Sequence, residues 1–289
     1  MPELPEVEVV KRSLVNKIQN SIVKTVKIND GRLRYRIDKN KIKKIIGLRI
    51  KKISRRAKFL LFFLSNNNVM LVHLGMTGKF FFINQKNTKY KTSFYYNINE
   101  NKDKKYDRVI FNLSKNQKLI YNDVRKFGFI KFIKNIDLDQ NLHLKYLGPE
   151  PLEKKFNFGY FKQYIINKNR TIKDILMDQK FISGLGNIYV NEILFFSGIR
   201  PIKKVKNLSE NEIKKIIKFT RIILNKAIAL GGSSIKNFSS NNGKMGLFQQ
   251  YFCVYGKKGE KCSKKSCGSN IIKIVISNRA TFYCDNCQK

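Results

Sequence analysis

Acidic residues are scarce in this 289-residue chain, and two other features are missing altogether. Only 20 residues are Asp or Glu, against 59 Lys and Arg, which gives a formal net charge of +39. No apolar run is long enough to span a bilayer. The first residues lack the basic and then apolar pattern of a signal peptide. These absences exclude a membrane-spanning helix and lead us to expect a cytoplasmic protein.

The large positive charge has two interpretations. Neutralising phosphates releases counterions, so a strongly basic protein is drawn to nucleic acid. Alternatively, the joint enrichment of Lys, Asn and Ile follows from an AT-rich genome and implies no partner. The chain has no basic amphipathic helix with an aromatic face, so a membrane surface is the weaker choice of partner.

The hydrophobic pattern changes period along the chain, and this predicts an α+β protein with several domains. After a first helix, residues 22–133 show short alternating segments separated by polar turns, which are typical of an antiparallel β-sandwich or barrel. Two prolines in "LGPEPL" indicate a linker, and helical spacing follows it. We predict a β domain over 1–135, a linker over 136–157, a helical domain over 158–250 and a small terminal module over 251–289.

The opening "MPELPEVEVV" concentrates three acidic residues in a chain that has few. Apolar positions from Val7 onward recur at helical spacing, and Pro5 and Glu6 suit the first turn of a helix. Helix capping does not explain Pro2 or Glu3, which stand ahead of the helix.

Four of the five cysteines form two close pairs at the C-terminus. Such pairs, separated by a hairpin-length segment, match a four-thiolate zinc ribbon and predict one structural Zn²⁺ held by Cys262, Cys267, Cys284 and Cys287. Cys253 falls outside this spacing and is expected to be a free thiol. "IIKIVI" and "ATFYC" predict a β-hairpin with Arg279 at or near its tip. The two histidines, His73 and His143, are assigned no catalytic role.

Seven segments together carry a family resemblance: "MPELPEVE", "RRAKFLL", "HLGMTG", "LGPEPL", "SGLGNIYVNEILF", "GIRP" and "NRATFYCDNCQK". In this order they resemble formamidopyrimidine-DNA glycosylase, the bacterial enzyme that removes oxidised purines from DNA. The resemblance implies an N-terminal β-sandwich with a flanking helix, a helix-two-turn-helix domain and a zinc-finger hairpin. It also implies a monomer that binds double-stranded DNA with oxidised purines or abasic sites, in the bacterial cytoplasm and associated with the nucleoid.

The resemblance assigns catalytic roles to four residues. Pro2 becomes a secondary amine once Met1 is removed, and it attacks the sugar to form an iminium. Glu3 protonates the opening sugar ring. Lys58 contacts phosphate and supports β-elimination, and Arg279 assists δ-elimination. Glu6 matches a further family glutamate, although helix capping accounts for it equally well.

The resemblance also implies contacts with DNA. A flipped base leaves a gap, and Met76, Arg125 and Phe127 would fill it as a wedge. Asn187 would cap a helix that begins near Ile188 and would offer a phosphate its side chain and the helix N-terminus. Lys168 matches a further DNA contact. The loop 231–246 would close over the lesion.

Some positions differ from the family pattern. Four residues separate the first zinc pair, where two are common, and Tyr106 stands where many members place a DNA-contacting histidine. Val124 and Lys126 replace a proline and an arginine beside the wedge. Two alternatives remain: the sister enzyme endonuclease eight, which prefers oxidised pyrimidines, and a zinc-ribbon nucleic-acid binder without catalytic activity.

Overall fold

The computed structural model describes residues 1–86, 88–92, 104–233 and 248–289. These residues form two compact units. The first contains the described residues up to Lys145, together with Gly231–Ser233, and the second contains Tyr146–Leu230 and Phe248–Lys289.

Two antiparallel sheets make up most of the first unit. One sheet has the strand order β1-β7-β8-β5-β6, and the other has the order β2-β3-β4-β9. The strands are β1 (Val23–Ile28), β2 (Ile50–Arg56), β3 (Phe59–Leu64), β4 (Asn68–His73), β5 (Lys79–Ile83), β6 (Lys89–Lys91), β7 (Asp107–Leu113), β8 (Gln117–Asn122) and β9 (Phe129–Lys134). The unit also has the helices α1 (Leu4–Ile18) and α2 (Lys39–Lys43).

Alternate side chains of the strands form the core of this sandwich. In β3, Leu60, Phe62 and Leu64 belong to the main buried cluster, because successive side chains of a strand point to opposite faces. Val7, Val10, Leu14 and Ile18 of α1 join the same cluster. The helical spacing of the N-terminal segment therefore predicted the buried face of α1 correctly.

Helices form most of the second unit. They are α3 (Phe158–Ile165), α4 (Ile172–Met177), α5 (Asn187–Ser197) and α6 (Glu210–Ala229). Most of α5 is buried, including its polar residues Asn191 and Glu192. The N-cap of α5 is Gly186. The expectation that Asn187 caps this helix is therefore wrong, because the helix begins at Asn187 itself.

A two-stranded hairpin, β10 (Ile271–Ile276) and β11 (Arg279–Cys284), ends the second unit. Two polar residues of α5 tie it and the segment before it to the helix. Asn191 Oδ1 accepts the Phe282 N–H at 2.7 Å, and Glu192 accepts the backbone N–H groups of Cys253, Val254 and Tyr255. These bonds satisfy buried polar groups and fix the hairpin on α5.

The α+β class and the sandwich, helical and hairpin parts agree with the sequence expectation. Among the residues that the structure describes, none of the helices is both long and apolar enough to cross a membrane.

Candidate active site

The chain begins against the first turn of α1. Burial lowers the pKa of the Met1 α-amine below its usual value, and the charges of Lys58 and Arg125 add to this effect, while Glu3 and Glu6 oppose it. A lowered pKa enlarges the neutral fraction, which is the nucleophilic form of an amine. The first unit therefore brings Glu3 and Lys58, two predicted catalytic residues, within electrostatic reach of the N-terminus.

Pro2 follows directly and is buried, as is Glu3. Because Met1 precedes it here, the Pro2 nitrogen belongs to a tertiary amide. Its lone pair is delocalised into the peptide bond and is not nucleophilic. Removal of Met1 would convert this nitrogen into a secondary amine at the same end of α1.

The Glu6 carboxylate joins two parts of the first unit. Its Oε2 accepts the Glu3 N–H at 2.8 Å, and its Oε1 accepts the backbone N–H and the hydroxyl of Ser233 at 2.8 and 2.9 Å. Gly232 has a φ of +79°, and a Cβ there would lie 3.1 Å from the same Oε1. The predicted capping role of Glu6 is present. Glu3 is the N-cap residue of the same capping box, so the expectation that capping does not explain Glu3 is wrong. The contact of Glu6 with Ser233 is an addition that the sequence did not indicate.

Lys58 lies in the tight turn between β2 and β3, and it is buried. Ala57 in this turn has a φ of +51°, and its carbonyl accepts Nη1 of Arg55 at 2.9 Å. Nε of Arg55 donates to Glu8 of α1 at 3.0 Å. The largely buried Arg55–Glu8 pair thus fixes the turn that carries Lys58 against α1, and sequence reasoning missed this pair.

Glu8 stays ionised in this position. Burial works to raise its pKa, but hydrogen bonds from Lys11, Arg12 and Arg55 outweigh burial, and the net result is a lowered pKa. The three donors replace the hydrogen bonds to water that the Glu8 carboxylate loses on burial.

Two adjacent loops carry the three predicted wedge residues. Met76 follows Gly75, whose φ is +62° and whose added Cβ would lie 2.4 Å from the Phe127 carbonyl carbon. Glycine is therefore required where the loops approach each other. The Arg125 guanidinium lies 4.5 Å from the centre of the Phe127 ring. Met76 and Phe127 are 39% and 45% exposed, so apolar groups stand out on the surface of the first unit.

Asp123, which is fully buried, holds these two loops together. Its Oδ2 accepts the Gly128 N–H at 2.9 Å, and its Oδ1 accepts the Thr77 hydroxyl, which in turn accepts the Arg125 N–H at 2.9 Å. The Asp123 N–H donates to the Tyr106 carbonyl at 3.1 Å. Tyr106, a predicted DNA contact, therefore lies at the base of the loop that carries Arg125.

Arg279 lies at the start of β11, next to the two-residue turn of the hairpin. Ser277 and Asn278 have φ values of +47° and +59°, which match a primed hairpin turn. The Ser277 hydroxyl donates to Asp174 of α4 at 2.7 Å. Arg279 itself is exposed, as its predicted role requires.

The residue after Arg279 is held by two side chains. The Ala280 carbonyl accepts Nδ2 of Asn187 at 2.8 Å and Nζ of Lys173 at 3.3 Å, and Lys173 also donates to the Thr281 hydroxyl. Burial, together with the nearby Arg279 charge, lowers the pKa of Lys173 to about 8. The second unit thus brings the predicted residues Asn187 and Arg279 to one place.

Lys168 lies after α3, and its Nζ is 4.5 Å from the centre of the Tyr164 ring. It is partly exposed. The hydrogen bonds and ion pairs around Arg279 do not include it.

The four predicted zinc cysteines lie together in the second unit. All four Sγ atoms are within 4.8 Å of one another, with Cys262 to Cys287 at 3.8 Å and Cys267 to Cys284 at 3.4 Å. Four thiolates around a zinc ion at bonds of about 2.3 Å need sulfur separations of this size. The residues present therefore fit one zinc ion, and Cys253 lies outside the cluster, as expected.

Comparisons with known proteins cover the whole of this arrangement. Three family models match: "Formamidopyrimidine-DNA glycosylase N-terminal domain" over residues 1–130, "Formamidopyrimidine-DNA glycosylase H2TH domain" over 147–239, and "Zinc finger found in FPG and IleRS" over 259–289. The formamidopyrimidine-DNA glycosylase of Rickettsia bellii (strain OSU 85-389) is 40% identical over all of both chains. That of Roseobacter denitrificans is 35% identical, again over the full length of both.

The chain belongs to the formamidopyrimidine-DNA glycosylase family. A solved structure of the Lactococcus lactis enzyme with DNA that contains an abasic site matches with a TM-score of 0.83 and 34% identity, over 99% of each chain. Another, the wild-type Lactococcus lactis enzyme with DNA that contains N7-benzyl-Fapy-dG, matches with the same score and identity over 100% of each. Membership of this family confirms the resemblance, the fold and the enzyme class that the sequence predicted, together with the zinc finger.

Proposed function

We propose that this member of the formamidopyrimidine-DNA glycosylase family excises oxidised purines, namely 8-oxoguanine and formamidopyrimidines, from double-stranded DNA. It then cuts the strand at the abasic site. The observation that carries this proposal is the N-terminus of the first unit, where Pro2 and Glu3 are buried at the start of α1 and the charges of Glu3 and Lys58 act on the end of the chain. The Lactococcus lactis relatives bound to Fapy-dG and abasic-site DNA support the choice of substrate.

The reaction begins once Met1 has been removed. The lone pair of the Pro2 nitrogen attacks C1′ of the damaged nucleotide, and the bond from C1′ to the base breaks. The base leaves with that electron pair and takes up the proton that the nitrogen loses after its attack. Glu3 donates a proton to the sugar oxygen as the ring opens, and the nitrogen forms an iminium with C1′. A buried carboxyl group directly after the nucleophile is well placed for this transfer.

Strand cleavage follows from the iminium. Lys58 holds a phosphate and supports the β-elimination that expels the 3′ phosphate. Arg279, exposed beside the hairpin turn, assists the δ-elimination that expels the 5′ phosphate. The two eliminations leave a one-nucleotide gap. The zinc ion supplies no chemistry to these steps: its four thiolates hold the hairpin that carries Arg279.

The remaining predicted residues bind DNA. Met76, Arg125 and Phe127 enter the space left by the flipped base, and the exposure of the Met76 and Phe127 side chains supports this role. Lys168, Tyr106 and the N-terminus of α5 at Asn187 contact the backbone. The lesion-closing role proposed for 231–246 concerns residues that, from 234 onward, lie outside the described part of the chain. The protein acts as a monomer at the bacterial nucleoid.

Borohydride trapping tests the proposed function. Protein of confirmed mass without Met1 is mixed with a duplex that contains 8-oxoguanine opposite cytosine, and we expect a covalent protein–DNA band and a gapped strand. The matched control is the same chain with Met1 retained, in which the Pro2 amide cannot react.

A second duplex with an oxidised pyrimidine tests the endonuclease-eight alternative, which would cut that strand faster. If the lesion strand stays uncut and no band forms, the proposed function is wrong.

A further inference from the structure

Asp30, in the turn after β1, gathers three cations around one carboxylate. It accepts Nζ of Lys126 at 2.7 Å, Nη1 of Arg108 at 3.2 Å and Nε of Arg32 at 3.0 Å. Hydrogen bonds from Arg32 and Lys126 lower its pKa far below the usual value, so it is ionised at any working pH. Its side chain is only 16% exposed, and such a partly buried group holds its partners more tightly than an open surface pair does.

One of these cations, Lys126, belongs to the loop 123–128 that carries Arg125 and Phe127, and a second, Arg108, contacts this loop from β7. The Arg108 side chain is 8% exposed, and it reaches from β7 to the loop. Its Nε donates to the Asp123 carbonyl at 2.8 Å, and its Nη2 donates to the Val124 carbonyl at 3.4 Å. Asp30 therefore fixes a guanidinium that in turn holds the first two carbonyls of this loop.

Lys126 lies between Arg125 and Phe127 and has a φ of +59°. The left-handed region costs a non-glycine residue free energy, so this backbone persists only where its surroundings hold it. The ion pair from Asp30 to Lys126 Nζ provides such a hold. With Lys126 turned toward Asp30, its two neighbours form the pair in which the Arg125 guanidinium stacks on the exposed Phe127 ring.

We propose that Asp30 is a positioning residue for the DNA wedge, holding the Arg125–Phe127 pair in its inserting conformation through Lys126 and Arg108. The inference rests on the proposed function, because the wedge belongs to it. Asp123 joins the two ends of the loop 123–128 through the Gly128 N–H, and through Thr77 it ties the loop to the one that carries Met76. Asp30 acts between those ends.

If Asp30 only stabilises the fold, its substitution lowers DNA affinity and excision together. If Asp30 positions the wedge, its substitution lowers excision but not the affinity for undamaged DNA. Asp30→Asn removes a negative charge, which strengthens or leaves unchanged the electrostatic attraction to an undamaged duplex. Loss of the wedge geometry instead slows the step in which the base is flipped and its place is filled. We therefore expect affinity for undamaged DNA to hold or rise while the single-turnover excision of 8-oxoguanine falls roughly tenfold or more.

The experiment compares Asp30→Asn with Asp30→Glu and with Asp139→Asn, which makes the same charge change at an exposed position. Wedge insertion is followed by 2-aminopurine fluorescence, with the probe beside an uncleavable abasic analogue. We expect a smaller fluorescence change and slower excision for Asp30→Asn, recovery of most of both in Asp30→Glu, and wild-type behaviour in Asp139→Asn. Lys126→Met should reproduce the defect, and the double variant with Asp30→Asn should be no slower than either single variant.

Equal wedge fluorescence and equal excision in Asp30→Asn and wild type would overturn the inference. Parallel loss of undamaged-DNA affinity and excision would overturn it as well, because that pattern indicates general damage to the unit. Wild-type protein without Met1 that fails to excise the lesion would instead contradict the proposed function, so the two failures are distinguishable.

Discussion

At the residue scale, the side chains with proposed roles depend on buried polar neighbours. Glu6 holds the backbone of Glu3, and Asp123 holds the two ends of the loop 123–128, which carries Arg125 and Phe127. A buried carboxylate is stable only when hydrogen bonds replace its water, so each of these groups must find several donors. In both cases a buried carboxylate fixes a residue with a proposed role, and substitutions at the buried positions should affect function without touching DNA.

His73 gives the first prediction at this scale. Burial, with the charges of Lys58, Arg34 and His143, lowers the pKa of His73 to about 4 from 6.5. The folded state then binds fewer protons than the unfolded state, so this residue costs stability as pH falls from about 6.5 towards 4. Its share of the free energy of unfolding should be about 2 kcal/mol lower at pH 5 than at pH 8.

Urea unfolding followed by circular dichroism at the two pH values checks this, with His73→Asn as the variant. Asn offers an acceptor for the Gly75 N–H that His73 Nδ1 binds at 3.0 Å. We expect the variant to lose less stability on acidification than wild type, by about that amount. An equal loss in both proteins would show that His73 is protonated normally in the folded state.

Sequence reasoning proposed functional residues but not the side chains that hold them. The roles of Pro2, Glu3 and Lys58 follow from motifs that are specific only together, through the family resemblance, and they stay predictions. Ser233 lies 227 residues from Glu6, and no local pattern marks such a pair. Partners that meet only through the folded chain need the structure.

At the element scale, the alternation of apolar and polar residues predicted those strands that have one apolar and one polar face. The sequence did not single out β2, "IKKISRR", although it forms an edge of its sheet. Lysine and arginine on an edge strand discourage pairing with another chain, and the same residues obscure the alternation that indicates a strand. For β10 and β11, the cysteine spacing and a turn signal predicted the hairpin correctly. Two cysteine pairs that bind one metal ion must lie close together, so the segment between them has to fold back on itself.

The zinc-bearing hairpin gives the prediction at this scale. We expect one zinc ion per chain by elemental analysis, and loss of it in Cys284→Ser, because three thiolates bind zinc less tightly than four. In that variant the hairpin should lose order, and δ-elimination should fall relative to β-elimination because Arg279 is no longer held. The remaining activity of the first unit should decline less.

Cys253→Ser is the matched control, since Cys253 is the one cysteine outside the cluster. It should keep a full equivalent of zinc and the wild-type ratio of the two elimination products. Zinc retained at one equivalent in Cys284→Ser would contradict the four-thiolate site.

At the scale of the whole molecule, the formal charge of +39 far exceeds what one DNA site can use. Carboxylates in the described part of the chain often serve several cations at once, as Glu8 and Asp30 do. In both clusters one carboxylate fixes structure by holding three cations, while the sequence as a whole has 59 basic residues and 20 acidic ones. The surplus of basic residues either serves DNA binding or reflects genome composition. The number of DNA phosphates that these residues neutralise distinguishes the two explanations.

Salt dependence answers that question. Each neutralised phosphate contributes about −0.9 to the slope of log K against log salt, so a site with about six to ten contacts loses a factor of about 10³ to 10⁵ between 50 and 200 mM. For an undamaged duplex we expect a slope of about −5 to −9, which corresponds to about six to ten phosphates. This number of phosphates is far smaller than the net charge of +39, because only cations that face the DNA release counterions. Lys168→Ala should reduce the slope by about one if Lys168 contacts phosphate. A slope shallower than about −2 would assign the charge to composition, since fewer than about three phosphates would then be neutralised.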